Sequence, residues 1–357
     1  MDKDTPVYNI ENLEVDEKYR IDPFLAGLPY KNYPEAKWDL SGLFCYDDDF
    51  FNFFESFSIA HQNLFGKDVP ISTVVESVHG LNNIIWNGGR SMLETRSRSR
   101  AGERAMVSAL GVEMNNPFSP TPLLYEKYNS YNVNVFFTVT NPMITEEHLN
   151  DESSNYVLSM LGDIDHDGNG IIVSSDALSD YVRSKYPNLK QKASIVKITV
   201  EKPNHKDRDF KYYKSLADRF DRVMVHPDDN FNKPLLEKMA EDPHKYELLV
   251  NEMCSLFCPV RDEHYYFYAR TTLQPRKGNF IIKDLNLPSA FPEKICGRVN
   301  YFNPDPSKRT NIRSTQLNVE EVKTLYDMGF RHFKLQGRAL GASFDSMYEH
   351  LAHYIFY

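Results

Sequence analysis

Residues 170–187 read GIIVSSDALSDYVRSKYP and form the clearest strand-to-helix unit in the sequence. The apolar run at 170–174 predicts a buried strand, and the amphipathic stretch at 175–185 predicts a helix. Between them, Ser174, Ser175 and Asp176 are typical of a helix cap. A short strand followed by a helix in this way is typical of a parallel sheet.

The same alternation extends outward from this unit, beginning at residue 69. Candidate strands lie at 69–75, 133–140, 170–174, 193–198, 222–225, 247–251, 311–314 and 332–336. Candidate helices lie at 103–110, 145–161, 175–185, 210–219, 233–241, 319–328 and 344–355. Eight strands alternating with helices predict a (β/α)8 TIM-like barrel of class α/β. An open doubly wound sheet is the alternative, although no glycine-rich dinucleotide fingerprint follows any strand.

Two domain segments are expected from this pattern. Residues 1–65 predict an N-terminal irregular and helical extension that packs on the barrel, and residues 66–357 predict the barrel itself. The net charge of -9 argues against non-specific nucleic-acid binding, and no apolar run reaches the length of a membrane span. The polar start and the four cysteines favour a reducing, cytoplasmic location.

The segment ELLVNEMCSLFCPVRDEHY at 247–265 carries the sharpest chemical signal. Cys254 and Cys258 are four residues apart, so on a short turn both thiols can face one centre. Iron–sulfur clusters are held by such thiolates, and Cys296 is a candidate third ligand from the next loop. His264 and Cys45 are candidates for the fourth position, unless one iron is open to substrate. A zinc site and unrelated buried thiols are the alternatives.

Polar side chains collect at the carboxyl ends of the predicted strands, where barrel active sites lie. Alternation along 332–336 places Lys334 and Gln336 toward the barrel mouth. Glu252, His264 and Lys334 are the candidate catalytic residues, with a Lys334–Glu252 structural pair as the alternative for the lysine. Candidate substrate-binding residues are Arg90, Asn251, Gln336 and Arg338, of which the arginines suit a carboxylate or phosphate.

Two other segments have open interpretations. His226, Asp228 and Asp229 suit proton transfer or metal binding, and equally a turn that starts a helix. In the segment WNGGR at 86–90, Gly88 and Gly89 favour a tight turn where the backbone approaches a ligand.

Residues 329–338, GFRHFKLQGR, resemble the late signature of the collagenase-like peptidase U-thirty-two family. That signature has the form Gly-hydrophobic-x-x-hydrophobic-Lys-hydrophobic-Glu-Gly-Arg, and Cys254 and Cys258 match the family's paired cysteines. The resemblance covers residues 169–340. It implies a TIM-like barrel, a cysteine-ligated 4Fe–4S cluster and oxygen-independent hydroxylation of RNA bases or ubiquinone precursors. Gln336 departs from the family's Glu, and the family's four-cysteine spacing is not reproduced.

These observations predict an iron–sulfur barrel enzyme that hydroxylates a nucleobase or small anionic substrate, or carries out a related redox or group-transfer step. Alternatives are a metal-assisted peptidase or other hydrolase, and a non-catalytic barrel that acts in binding or assembly. A local basic patch for phosphate, RNA or DNA is predicted at Arg96, Arg98, Arg100 and Arg104, with a mobile surface loop as the other interpretation. Homo- and hetero-oligomers both remain open.

Overall fold

The structure of the chain is a computed structural model. It describes residues 33–44, 46–66, 68–80, 84–88, 122–252, 254–273, 276–277, 280–281 and 314–336, together with Leu351 and Tyr354. Over these ranges, no helix is long and apolar enough to cross a membrane.

A closed barrel of eight parallel strands forms the centre of the molecule, which confirms the predicted (β/α)8 fold. The barrel strands are β1 (Lys37–Ser41), β2 (Val75–Gly80), β3 (Asn134–Val139), β4 (Gly170–Val173), β5 (Lys190–Ala193), β6 (Arg222–Val225), β7 (Tyr246–Leu249) and β10 (His332–Leu335). A separate two-stranded antiparallel sheet consists of β8 (Arg276–Lys277) and β9 (Phe280–Ile281).

Nine α-helices are described alongside these strands. They are α1 (Asp47–Phe65), α2 (Pro122–Ser130), α3 (Glu152–Gly162), α4 (Asp176–Lys185), α5 (Ile195–Glu201), α6 (Phe210–Arg219), α7 (Lys233–Met239), α8 (Arg261–Thr272) and α9 (Val319–Asp327). Local sequence starts several of them: the Ser175 side chain accepts a hydrogen bond from Leu178 N, as the predicted cap requires. Asn318 and Glu321 form a capping box at α9.

The first barrel strand lies inside the segment that the sequence assigned to an extension. Strand β1 pairs with β2 on one side and with β10 on the other, so it closes the barrel. Residues 37–41 therefore belong to the barrel and not to a segment packed outside it. The stretch KWDLS is short and holds two charged residues, so hydrophobic periodicity does not reveal it.

Three other strand predictions differ from the structure. The run at 193–198 is rich in β-branched residues, yet Ile195–Glu201 is helical because Ser194 caps it, accepting from Val196 N. The strand precedes it, at Lys190–Ala193. The predicted strand at 311–314 contributes only Ser314, which forms an isolated antiparallel bridge with Ser255, and residues 311–313 lie outside the described ranges. Strand β2 also begins where the predicted 69–75 strand ends.

The main apolar core lies between the barrel and its helices, and the barrel interior holds ionic groups as well as some apolar side chains. Outward-facing strand residues such as Trp38, Val173 and Phe333 are fully or almost fully buried against the helices. Inward-facing positions carry the charged residues, together with apolar side chains such as Ile172, Met224 and Leu249. Most of the hydrophobic core therefore lies outside the sheet, and the buried ionic groups lie inside it.

Candidate active site at the barrel mouth

Eight ionisable side chains inside the barrel form one connected network, here called the ionic network. Its members, on six strands, are Asp39, Glu76, His79, Lys192, Arg222, Glu247, His332 and Lys334. Because side chains alternate across a strand, most of these charged residues face inward while their apolar neighbours face the helices. Glu76 and His79 are three residues apart on β2, where the register with β1 shifts and Glu76 is the unpaired extra residue. Buried charges are tolerated only when paired in this way.

Asp39 is the centre of the upper part of this network and is fully buried. Its Oδ1 lies 2.9 Å from His79 Nδ1, and its Oδ2 accepts from Lys334 Nζ at 2.8 Å. Lys192 Nζ donates to the same Oδ2 at 3.4 Å and to Glu247 Oε1 at 2.7 Å. One carboxylate therefore holds an imidazole on one oxygen and two ammonium groups on the other.

The hydrogen bonds of Asp39 and His79 determine which of their atoms carry protons. Burial alone would raise the pKa of Asp39, but the nearby His79, Lys192 and Lys334 together lower it well below its usual value. A carboxylate only accepts hydrogen bonds, so Nδ1 of His79 must carry the proton. Burial lowers the pKa of His79, which leaves Nε2 as a lone pair at neutral pH.

The lower part of the network, at the amino ends of the strands, is equally well paired. Arg222 donates to both oxygens of Glu76, at 2.7 and 3.0 Å. His332 contacts Glu76 Oε2 through Nδ1 at 3.1 Å and Arg222 Nη2 through Nε2 at 3.2 Å. Since Nδ1 donates and Nε2 accepts, His332 is neutral. Burial would raise the pKa of Glu76, but the His332 hydrogen bond and Arg222 lower it.

Above Asp39 the barrel opens into a cavity of about 120 Å³, here called the mouth cavity. Its lining includes Ser41, His79, Asn87, Thr138, Thr140, Ser194, Met224, Leu249, Glu252, Tyr265, Lys334 and Gln336. Apart from Tyr265, which lies on α8, these residues come from the carboxyl ends of the strands and the loops that follow them. The cavity therefore occupies the position of (β/α)8 active sites and presents an imidazole, an ammonium and several hydroxyls.

The sequence-predicted residues have different places around this cavity. Lys334, Gln336 and Glu252 line it. Lys334 pairs with Asp39 and not with Glu252, whose Oε1 accepts from Cys254 N at 3.0 Å. Lys334 and Gln336 thus face the barrel mouth as predicted, and the carboxylate that pairs with Lys334 is Asp39.

Asn251 and His264 have contacts other than those expected for substrate binding or catalysis. The Asn251 amide donates to Gln336 O and accepts from Gln336 N, both at 2.8 Å. The Asn251 side chain thereby links the chain just after β7 to the main chain just after β10. The His264 ring lies against Tyr268, with centroids 5.1 Å apart, on α8.

The two cysteines of the predicted metal site do come together. A hydrogen bond from the Cys254 thiol lowers the pKa of Cys258 to about 6, and the same bond raises the pKa of Cys254. The turn is held by Cys258 N, which donates to Ser255 O at 3.2 Å. Phe257, within this turn, has a φ of 54°, a left-handed conformation that is unusual for a bulky residue.

These thiols do not by themselves complete a cluster site. Among the residues described here, no group of three or more His, Cys, Asp or Glu side chains is arranged to hold a metal ion. Cys45 and Cys296 lie outside the described ranges. The described residues therefore supply two sulfur donors, and no chemical step is assigned to a cluster.

His226, Asp228 and Asp229 take part in a second buried ion cluster beside these thiols. Asp229 Oδ2 accepts from Arg208 Nε at 2.7 Å, and Asp228 accepts from Arg208 and from Arg261 at 3.2 and 3.1 Å. The His226 Nδ1 accepts from Asp228 N at 3.2 Å. Paired carboxylates of this kind fix the loop after β6, which favours the turn interpretation over metal binding.

Several predicted residues lie outside the described ranges. They are Arg90 and Arg338 of the predicted substrate site, Cys296 of the metal site, and Arg96, Arg98, Arg100 and Arg104 of the basic patch. Their predicted roles stay predictions.

Asp39 and His79 were missed from the sequence. Asp39 lies on the unrecognised strand β1, and His79 lies beyond the predicted end of the first strand. The available signal was the sequence VESVHG, in which alternation from Ser77 to His79 marks one face of a strand.

Fold and cavity together define an enzyme-type (β/α)8 barrel with a polar mouth above a buried ionic network. No family model matches the chain, and no curated protein matches it. Among solved structures, it is similar to one described as "The Structure of the U32 Peptidase Mk0906". The TM-score is 0.43 at 12% identity, covering 85% of this chain and 92% of that chain. A likeness at this level carries no conclusion about activity, and the strand pairing alone establishes the barrel.

Proposed function

We propose that the chain is an enzyme that transfers a proton to or from a small anionic substrate bound in the mouth cavity. His79 is the acid/base group, and Lys334 binds the anionic part of the substrate. The observation that carries the proposal is the shared carboxylate of Asp39, which holds His79 on one oxygen and Lys334 on the other beneath the cavity.

The arrangement suits His79 for proton transfer. Its Nδ1 is fixed by Asp39, which sets the tautomer and the orientation of the ring. Its Nε2 makes no hydrogen bond to any residue in the described part of the chain, and the ring lines the cavity. An imidazole whose Nε2 faces the cavity can take up a proton and deliver it to a bound substrate, so His79 can be the general acid of such a step and its base in the reverse direction. Asp39 is a positioning residue in this mechanism.

Lys334 supplies a positive charge at a defined point of the same cavity. Its side chain is almost fully buried, and the bond to Asp39 fixes its Nζ. Because His79 and Lys334 are held on the two oxygens of one carboxylate, an anion bound to Lys334 lies on the same side of the cavity as the imidazole. Such positioning accounts for a large share of the rate enhancement in many enzymes.

Deuterium incorporation tests this function and does not require that the substrate be identified first. The protein is incubated in D2O with a panel of small hydroxy acids and keto acids, and exchange is followed by mass spectrometry. We expect the wild type to label at least one member, and His79→Gln to lose about 100-fold or more of the rate. His166→Gln is the control, because His166 contacts Asn134 before β4, away from the mouth. No labelling by the wild type, or equal labelling by His79→Gln, would contradict the proposal.

An iron–sulfur function is a second candidate, supported by the hydrogen-bonded thiols of Cys254 and Cys258 in the loop after β7. A bound cluster would supply the redox chemistry of the hydroxylation reactions that the sequence resemblance implies. Anaerobic iron and sulfide assays should then find both elements in the wild type and a loss in Cys254→Ala, Cys258→Ala and Cys296→Ala. Zinc in place of iron and sulfide would favour the predicted alternative, and the absence of all three would contradict a metal site.

A further inference from the structure

The charges of the ionic network balance when both of its histidines are neutral. Its acids are Asp39, Glu76 and Glu247, and its bases are Lys192, Arg222 and Lys334, so each sign occurs three times among the described members. His332 is held neutral by its two hydrogen bonds. Among the residues that the structure describes, no surplus positive charge therefore lies beneath the mouth cavity.

An anion in the cavity consequently meets a site that is already neutralised. The charge of Lys334 is offset by Asp39 at 2.8 Å, and Glu252 adds a carboxylate to the lining. The one group of the lining that can gain a positive charge near neutral pH is His79, within the part of the chain that is described.

Three members of the ionic network act electrostatically on the His79 ring. Asp39 on β1 and Glu247 on β7 favour a charged imidazole, and Lys334 on β10 opposes it. Lys192 on β5 lies against the Phe136 ring, 4.2 Å from its centroid, and holds both carboxylates. A negative charge placed near Lys334 would offset that lysine's repulsion of an imidazolium, leaving the attraction of Asp39 to act on His79.

We infer that the mouth cavity binds a small monocarboxylate together with one proton, which His79 Nε2 takes from solvent as the anion binds. The inference rests on the proposed function of the cavity and names its substrate class. One added negative charge and one added proton leave the network neutral. A phosphate group, which carries up to two charges at neutral pH, leaves a negative charge uncompensated in a buried site.

Calorimetry with acetate as the probe tests this inference. Titrations at pH 7.5 in buffers of different ionisation enthalpy should show uptake close to one proton per acetate bound. The affinity should fall about tenfold for each unit of pH increase, because the neutral imidazole must be protonated each time. Inorganic phosphate should bind at least about tenfold more weakly than acetate, given the uncompensated charge.

A variant and a spectroscopic measurement locate the proton. His79→Gln keeps an N–H group for Asp39 but cannot titrate, so its acetate affinity should be weaker at pH 6.5 and independent of pH. His166→Gln should behave as the wild type. In the unmodified protein, nitrogen NMR of the His79 ring should change from one protonated nitrogen to two on addition of acetate, whether or not the variant folds.

The outcomes separate this inference from the proposed function. Acetate binding without proton uptake, tighter binding of phosphate, or no acetate binding would each overturn the inference. The deuterium experiment judges the proposed function independently, since His79-dependent labelling of any substrate would sustain it. If His79-dependent deuterium labelling were found without proton uptake on acetate binding, the protein would still be an acid/base enzyme, but its substrate would not be a monocarboxylate bound with a proton.

Discussion

Asp39 and Lys334 lie at the same register position on neighbouring strands β1 and β10, with Oδ2 and Nζ 2.8 Å apart. We expect Asp39→Asn to lower the free energy of unfolding by about 3 to 5 kcal/mol, because it leaves buried ammonium groups without their carboxylate. Urea unfolding measures this. Asp218→Asn, in an exposed pair with Lys214, should leave the urea midpoint unchanged. An Asp39→Asn protein as stable as the wild type would show that the carboxylate does not hold these charges.

The Glu76–Arg222 pair at the other end of the barrel should behave as one unit. Glu76→Gln and Arg222→Met each leave a partly buried charge without its closest partner, whereas the double variant removes both charges. We expect the double variant to be more stable than the sum of the single losses by about 1 to 3 kcal/mol. Additive losses in a double-mutant cycle would argue against a direct bidentate pair.

Acid should destabilise the protein in a range set by its buried histidines. Burial lowers the pKa of His79, His226 and His332, so below pH about 6.5 the unfolded chain binds more protons than the folded one. Stability should then fall as the pH drops from 7.5 to 5.5. Burial raises the pKa of Asp47 to about 6. As the pH falls, Asp47 is protonated in the folded protein before it is protonated in the unfolded chain, so this residue partly offsets the loss of stability.

His226 is the best position at which to measure that effect, since it lies outside the mouth. His226→Gln should reduce the slope of stability against pH below 6.5 by up to about 1.4 kcal/mol per pH unit, the value for one proton. Urea unfolding series at four pH values give the slope. An unchanged slope would mean that His226 titrates alike in both states.

Gly88 should be intolerant of a side chain. A Cβ at Gly88 would lie 2.2 Å from Thr140 O, a main-chain atom that cannot move cheaply. Gly88→Ala should lower stability by about 1 to 3 kcal/mol and weaken acetate binding, because Asn87 beside it lines the mouth cavity. Gly66→Asn is the control, since Gly66 has open space and a left-handed φ that Asn tolerates. Thermal unfolding and calorimetry measure both effects.

The units with apolar strands and capped helices could be predicted from the sequence. Strand β4 and helix α4 follow the expected pattern closely, because GIIV is apolar throughout and Ser175 caps the helix. Strands β1 and β5 could not be found in this way, since KWDLS and KQKA carry their charges on the inner face. Periodicity scores such strands as exposed, and only pairing across the barrel shows that the charges are buried.

The candidate site was predictable in part for the same reason. Alternation along β10 places Lys334 and Gln336 in the mouth correctly. Its partner Asp39 is distant in sequence, and no local pattern indicates which carboxylate a buried lysine will meet. Gly88 also differs from the expectation: its missing side chain allows close approach to the Thr140 backbone, where a ligand was predicted.

The pairing of β1 with β10 sets the order in which this chain can mature. Asp39 and Lys334 are 295 residues apart, so a ribosome adding about 5 to 20 residues per second needs roughly 15 to 60 s to supply the second after the first. During that interval the growing sheet has an open edge, and the carboxylate of Asp39 lacks its final partner. Synthesis of the C-terminal strand is thus the event that allows the fold to complete, and a chain cut short before residue 332 would remain an unclosed sheet prone to aggregation.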